Sequence, residues 1–147
     1  MPSTFEDNAR VVTHTLLRVV TGLMFWQHGA QKLFGWLGGR QVQDLVSLAG
    51  VAGVLEFAGG ILIVAGLLTR PVAFILSGEM AFAYFMSHAP RGLWPIENRG
   101  EPSVLFCFLF LFFAAHGAGR YSIDALLGRR GNRDGAGRPT TEPVGAA

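Results

Sequence analysis

Four apolar stretches follow one another along the chain, at about residues 11–37, 48–69, 72–89 and 103–119, with only short polar segments between them. A helix needs about 20 apolar residues to cross the hydrocarbon layer of a membrane. The run from Phe106 to Phe113 is apolar on every side, unlike the surface helix of a soluble protein. The pattern therefore predicts an all-α fold, a four-helix transmembrane bundle, within one domain of residues 1–127.

The amino-acid composition also favours a membrane protein. Hydrophobic residues make up 50% and charged residues 15% of the 147 positions, whereas soluble domains carry about 25% charged residues. The amino terminus is acidic and shows no signal-peptide cleavage pattern, so we expect the first helix to remain attached. From Gly128 onward Gly, Arg, Pro and Thr dominate, which predicts a disordered basic tail over residues 128–147.

Positive charge is distributed unevenly between the two ends of the predicted helices. One end carries Arg10, Arg70, Arg120, Arg129, Arg130, Arg133 and Arg138, and the other carries Lys32, Arg40, Arg91 and Arg99. Cytoplasmic loops hold the excess of Lys and Arg in membrane proteins. We therefore expect a multi-pass protein of the bacterial inner (plasma) membrane with both termini in the cytoplasm.

The sequence lacks the patterns of several common sites. Cys107 is the single cysteine, so neither an intramolecular disulfide nor a CxxC pair can form. The Glu-x-x-His repeats of a di-iron bundle, a nucleophile elbow and a phosphate-binding loop are missing. The arginines do not gather on a polar face with interleaved aromatic residues. We accordingly expect no dedicated metal site and no nucleic-acid partner.

Helix one carries cationic and histidine side chains on a single face. The residues at a spacing of three and four are Arg18, Thr21, Phe25, His28, Lys32 and Gly35. The second helix repeats this spacing with Ala52, Glu56, Gly59 and Gly66. Its small residues let a neighbouring helix approach the carboxylate closely. Because ionisable groups at membrane depth are costly unless they are paired or face a wet cavity, both stripes should face the bundle interior.

Several of these groups are predicted to lie at one depth. At a rise of about 1.5 Å per residue, His28 and Glu56 fall roughly 10–12 Å below the outer surface, with Lys32 nearer to it. His88 lies near the same surface, and Glu101 opens the fourth helix. The groups are therefore expected to converge on one level near the outer leaflet.

Other ionisable groups are predicted to lie deeper. Glu79 falls near the midplane, and Arg18 and His116 fall near the cytoplasmic side, where they could form a second polar layer or a relay. Glu79 and His88 are nine residues apart, which places them on opposite faces of a regular helix.

Two interpretations of the polar residues stay open. Glu56 could pair with Lys32 or His28 as a buried ion pair that fixes the helix register without any chemistry. The same groups could instead form a binding or proton-transfer site. The phenylalanines after residue 105 are expected to face lipid or pack in the core. The alternative is that they line a site for a quinone-like ring.

With these residues in view, the chain resembles the DoxX family of bacterial membrane proteins over roughly residues 14–127. The features that carry the resemblance are Arg18 with Gly22, His28-Gly29 followed by Lys32-Leu33, Glu56 with Gly59-Gly60, Gly66 with Thr69-Arg70, the Asn98 to Glu101 segment, and Gly117-x-Gly119-x-Tyr121-Ser122-x-Asp124. The resemblance implies a four-helix inner-membrane protein. Some members are linked to quinone-dependent sulfur oxidation or to membrane oxidoreductase complexes that counter oxidative stress.

What the resemblance implies for individual residues is limited to the family's polar pattern. That pattern falls on His28, Lys32, Glu56, Glu101 and Asp124 in this sequence. The lone cysteine departs from any disulfide-relay variant of the family, which argues against a mechanism that passes electrons from thiols to a quinone.

The resulting hypothesis is a redox-associated subunit of a quinone-linked oxidoreductase that binds a quinone or another small hydrophobic molecule near the outer leaflet. His28 or Glu56 handles protons, and Lys32 orients a carbonyl oxygen. The candidate cofactor-binding residues are Lys32, His88, Glu101, Arg18 and Glu79. The expected partners are the lipid bilayer and either oxidoreductase proteins or further copies of this chain. The alternative is a non-enzymatic transporter of a small solute or a scaffold for a membrane complex.

Overall fold

A computed structural model of the chain describes residues 4–128, so nearly all of the predicted tail lies outside the described residues. All regular elements within this range are helical, which confirms the all-α expectation. The elements are α1 (Thr4–Phe34), α2 (Leu48–Ala65), α3 (Thr69–Ala83), α4 (Pro95–Asn98) and α5 (Glu101–His116). The polypeptide of α3 continues through a π-helix, Tyr84–His88, and a 3-10 turn, Ala89–Arg91. A last helical segment covers residues 123–128.

The helices begin and end at residues set by local backbone chemistry. Helix α1 starts seven residues before the apolar stretch, because Glu6 and Asp7 in its first turn favour a helix amino terminus. It ends at Phe34 because Gly35 takes a left-handed conformation at φ 67°. The limits of the apolar stretch, residues 11–37, therefore differ from both ends of the observed helix α1, Thr4–Phe34.

The connection between α2 and α3 is only three residues long. Gly66 ends α2 at φ 66°, and its N–H donates to the carbonyl oxygen of Ile63 at 3.1 Å. The backbone N–H groups of Leu68 and Thr69 donate to the carboxylate oxygens of Asp124 at 2.8 and 2.9 Å. A side chain from the far end of the chain thus caps the amino terminus of α3.

The chain forms two antiparallel helix pairs. Close approaches between residues 22 and 60, and between residues 32 and 53, show that α1 runs antiparallel to α2. Helix α3 also packs antiparallel to α5. The Ser77 hydroxyl on α3 donates to the carbonyl oxygen of Cys107 on α5 at 2.9 Å. The two pairs meet through a shared apolar core that includes Phe25, Ile63, Leu76, Phe106, Phe110 and Phe113.

The apolar surface of the described helices faces outward to an unusual degree. Leu16, Phe74, Leu105 and Phe108 are each more than half exposed. Leu48–Ala65 and the continuous helical stretch Thr69–Arg91 are long and apolar enough to cross a membrane, and Glu101–His116 is a shorter apolar helix. The phenylalanines of α5 divide by face: Phe106, Phe110 and Phe113 are buried, whereas Phe108 and Phe112 are exposed.

Glycine at the α1–α2 contact gives a direct test of the packing. A Cβ at Gly29 would overlap the backbone of Phe57, whereas a Cβ at Gly78 on α3 meets nothing within 4 Å. We expect Gly29→Ala to lower the free energy of unfolding by roughly 1–3 kcal/mol through overpacking. The matched variant Gly78→Ala should leave it unchanged or slightly raised. Thermal unfolding of the purified variants in detergent measures both, and equal melting temperatures would contradict the close approach.

Candidate functional site

A cavity of about 340 Å³ lies among α1, α2, the end of α3 and the start of α5. One part of its wall is apolar and consists of Phe25, Met80, Ala83, Pro102 and Phe106. The other part is polar and consists of His28, Lys32, Glu56, Ser87, His88, Arg99 and Ser103. The cavity therefore brings together candidate residues from α1, α2 and the π-helix.

An ion pair between α1 and α2 forms the base of the polar wall. Lys32 Nζ lies 2.5 Å from Glu56 Oε1, with 33% of the lysine side chain and 4% of the glutamate side chain exposed. Glu56 Oε2 is buried and accepts no hydrogen bond from residues 4–128. His28 interacts electrostatically with the same carboxylate. The cavity therefore contains an ammonium with unused N–H groups and a carboxylate with one free oxygen.

His88 is held in one orientation by the turn that follows it. Its Nδ1 lies 3.1 Å from the backbone carbonyl oxygen of Asn98. Because a carbonyl oxygen only accepts, Nδ1 carries the proton in this contact, and Nε2 of a neutral ring is left as an acceptor. The ring also stacks on Tyr84 with their planes 20° apart. His88 can therefore accept a hydrogen bond or a proton in the cavity.

The loop that holds His88 is organised around the buried side chain of Asn98. Its amide nitrogen donates to the carbonyl oxygen of Gly92 at 2.7 Å, and its amide oxygen accepts from Gly100 N at 2.8 Å. The π-helix turns less per residue than an α-helix, which allows Ser87 and His88 both to line the cavity. Such turns are frequent at functional sites.

Aromatic rings form the opposite wall. The ring centroids of Phe25 and Phe106 lie 5.2 Å apart at a tilt of 55°. His28 meets Phe106 edge to face with centroids 6.0 Å apart. These contacts place the His28 imidazole at the boundary between the apolar and polar walls, where a ring-shaped ligand would touch both.

The remaining candidates lie outside the cavity lining. Glu101 begins α5 as an exposed residue. Glu79 lies beside the lining residue Met80 on α3, with both carboxylate oxygens buried. Arg18 is 2% exposed and lies at the other end of α1, where its guanidinium donates to the carbonyl oxygens of Ile63, Val64 and Tyr121. The cavity lining thus includes His28, Lys32, Glu56 and His88, and it does not include Arg18, Glu79 and Glu101.

Comparison with known proteins identifies the family. The family model described as DoxX matches residues 13–89, just over half of the chain. The chain belongs to the DoxX family. An uncharacterized protein of Haemophilus influenzae is 45% identical over 116 residues, which cover 74% of this chain and 85% of the relative. No solved structure matches the chain significantly.

Two further relatives carry names that state their location. Inner membrane protein YqjF of Escherichia coli is 29% identical over 77% of this chain and 90% of its own length. Uncharacterized membrane protein Rv3486 of Mycobacterium tuberculosis is 28% identical over 82% of this chain and 84% of its own length. This DoxX chain is accordingly an integral membrane protein.

Sequence reasoning missed several residues of the DoxX cavity. Arg99, Ser87 and Ser103 line it, although none follows the spacing that singled out His28 and Lys32. Arg99 belongs to an irregular turn at φ 59°, and no helical periodicity extends into such a turn. No three His, Cys, Asp or Glu side chains within the described part of the chain are grouped to hold a metal ion.

Proposed function

We propose that this DoxX protein binds a small amphipathic molecule with an oxygen-bearing aromatic ring, such as a quinone, in the cavity. The observation that carries the proposal is the joint presence of Lys32, Glu56 and His88 opposite the rings of Phe25 and Phe106. The cavity volume of about 340 Å³ lies at the small end of ligand sites, which range over roughly 300–1,000 Å³. A cavity of this size suits the head group of a quinone rather than a large ligand.

The residues of the cavity fit the chemistry of such a ring. Phe25 and Phe106 offer an apolar wall against which a flat ring can pack. Lys32 retains N–H groups that can donate to a carbonyl oxygen. His88 Nε2 and Glu56 Oε2 are acceptors for a hydroxyl proton. A bound quinone would supply the redox chemistry, and these side chains would orient it and exchange protons with it.

The proposed orientation puts this cavity near the outer leaflet. Helices α1, α2, α3 and α5 cross the inner membrane, with both termini in the cytoplasm. Arg10, Arg70 and Arg120 support this arrangement because they lie near the end of the helices opposite the cavity, and the positive-inside rule places such an end in the cytoplasm. A fluorescent protein fused to the carboxyl terminus tests the orientation, because it matures only in the cytoplasm. A fusion that does not fluoresce would indicate the opposite orientation.

Quinone binding is testable on the detergent-purified protein. We expect solvent extraction to recover quinone and a short-chain quinone to bind in equilibrium dialysis. Lys32→Met should raise the dissociation constant by roughly tenfold or more, because one hydrogen bond from a charged group contributes about 1.5–3 kcal/mol. Glu101→Gln and His116→Gln are matched controls, since both residues are exposed and outside the cavity lining.

The possible results separate the functions. Neither extracted quinone nor binding of the added quinone would overturn the proposal. Binding that is equally tight in Lys32→Met and in the controls would place the ligand elsewhere. Uptake of a small solute into proteoliposomes without quinone binding would favour the transporter, and recovery of a stable partner by cross-linking without quinone binding would favour the scaffold.

A further inference from the structure

Glu79 is a buried carboxyl group that the proposed ligand site does not use. Neither of its side-chain oxygens is exposed, and neither has a hydrogen-bond partner among residues 4–128. An ionised carboxylate in this state would lack both hydration and a counter-ion contact. Such a group costs several kcal/mol at membrane depth.

The packing of α2 on α3 places Glu79 at the level of Glu56. Leu76 fills the space beside Gly59, where an added Cβ would lie 2.8 Å from its side chain. Because consecutive helices α2 and α3 are joined by a three-residue turn and run in opposite directions, the step from Gly59 back to Glu56 matches the step from Leu76 to Glu79. Glu79 also interacts electrostatically with Glu56 and with Lys32.

The charges around this pair do not balance if both carboxyls are ionised. Lys32 is hydrogen-bonded to Glu56 and is the ammonium that both carboxyls share. The other ionisable groups facing the cavity are His28 on α1, His88 in the π-helix and Arg99 in the turn before α5. Arg99 is exposed, so its guanidinium is solvated at the mouth rather than buried beside Glu79.

We propose that Glu56 and Glu79 form a proton-binding site in which the two carboxyls carry one proton in total. Glu79 carries the proton at rest, and Glu56 remains ionised against Lys32. Glu56 is 96% buried and keeps Oε2 free, so either carboxyl can carry the proton at the same total charge of the pair. Because Glu56 also lines the cavity, the pair can exchange this proton with the cavity. The inference concerns the chain alone and holds whether or not a quinone binds.

Labelling with dicyclohexylcarbodiimide tests the site on the full-length protein in membranes. The reagent is apolar and adds to protonated carboxyls: the carboxyl proton moves to a carbodiimide nitrogen, an oxygen bonds to its carbon, and rearrangement gives a stable N-acylurea with no leaving group. Peptide mass spectrometry locates the adduct. At neutral pH, labelling of Glu79 should exceed that of exposed Glu101 by roughly tenfold or more, because burial favours the protonated, reactive form of a carboxyl and contact with water favours the ionised form.

Variants distinguish a shared proton from simple burial. Glu56→Gln removes the competing carboxylate and leaves Lys32 for Glu79, so Glu79 should ionise and its labelling should fall several-fold. Glu101→Gln should leave the labelling of Glu79 unchanged. Raising the pH should also reduce it, because deprotonated carboxyls do not react. Labelling of Glu79 that is unaffected by Glu56→Gln would overturn the sharing of the proton.

An infrared measurement covers the case in which the reagent does not reach Glu79. The C=O stretching band of a protonated carboxyl should be present in the unmodified protein at neutral pH, absent in Glu79→Gln and present in Glu101→Gln. If Glu79→Gln does not fold, the shift of this band in unmodified protein as the pH is raised gives the same information. Lack of both the adduct and the band would overturn the proposal.

Discussion

An Arg18→Met protein is expected to unfold at a much lower temperature than the unmodified chain, with a loss of roughly 3–5 kcal/mol in the free energy of unfolding. The guanidinium donates to carbonyl oxygens of Ile63 at 2.5 Å, Val64 at 2.6 Å and Tyr121 at 2.7 Å. The first two belong to the last turn of α2, where the carbonyls lack the usual partner from the next turn of the helix. Methionine fills the same space but donates nothing, so all three oxygens lose the guanidinium, and Ile63 keeps only the bond from the Gly66 N–H.

Arg10→Met is the matched control, because Arg10 lies on the same helix and is exposed. We expect it to change the melting temperature little, since isolated surface charges contribute up to about 1 kcal/mol. Arg18→Lys should fall between the two, because an ammonium keeps the charge and lacks the planar fork that reaches separate carbonyls. Heating in detergent followed by size-exclusion chromatography measures all three. Equal stability of Arg18→Met and Arg10→Met would show that the buried hydrogen bonds do not hold this end together.

Arg18 illustrates what the sequence could and could not predict. Its place on the stripe with Phe25 and His28 correctly indicated an interior position, because a charged group on the lipid face is costly. The sequence offered Arg18 as a ligand-binding residue or as part of a second polar layer, and the hydrogen-bond partners that the structure gives it are backbone carbonyls. One of these, on Tyr121, lies 103 residues away along the chain. Hydropathy and helical spacing carry no information about such a carbonyl, because every residue type has one.

The cavity was predictable where its residues follow regular helices. His28, Lys32 and Glu56 obey the helical repeat, and the structure places all three on the cavity wall. The position of His88 depends on the π-helix, which no residue pattern indicated and which breaks the regular spacing from Glu79. The shared level of Glu79 and Glu56 depends on how tightly α2 turns into α3. That turn is fixed by Gly66 and by the distant cap from Asp124.

Lys32→Met is expected to destabilise the protein more than Glu56→Gln, although the two substitutions break the same ion pair. Removing the lysine leaves a carboxylate that is 4% exposed, whereas removing the carboxylate leaves a lysine that is 33% exposed and can turn toward water or toward Glu79. We expect Lys32→Met to cost about 3 kcal/mol, near the lower end for a broken buried pair. Glu56→Gln should cost about 1–2 kcal/mol, as for one lost hydrogen bond to a charged group.

The double variant completes the measurement. Lys32→Met with Glu56→Gln should cost less than the sum of the single losses by roughly 1–2 kcal/mol, because it leaves no unpaired charge from this pair. Chemical or thermal unfolding in one detergent gives the three values, with Glu101→Gln as the exposed control. Single losses of equal size would contradict the burial difference, and strict additivity would show that the pair does not couple α1 to α2.

The same variants separate the two roles that the sequence left open for Glu56. An ion pair that serves only to fix the helices predicts that the quinone probe binds the folded double variant as tightly as the unmodified protein. A ligand site predicts that binding is lost in Glu56→Gln while most of the stability remains, because Glu56 lines the cavity and only its Oε1 is hydrogen-bonded to Lys32. Because the Glu56 carboxylate both pairs with Lys32 and lines the cavity, we expect Glu56→Gln to cause a modest loss of stability together with a large loss of quinone binding.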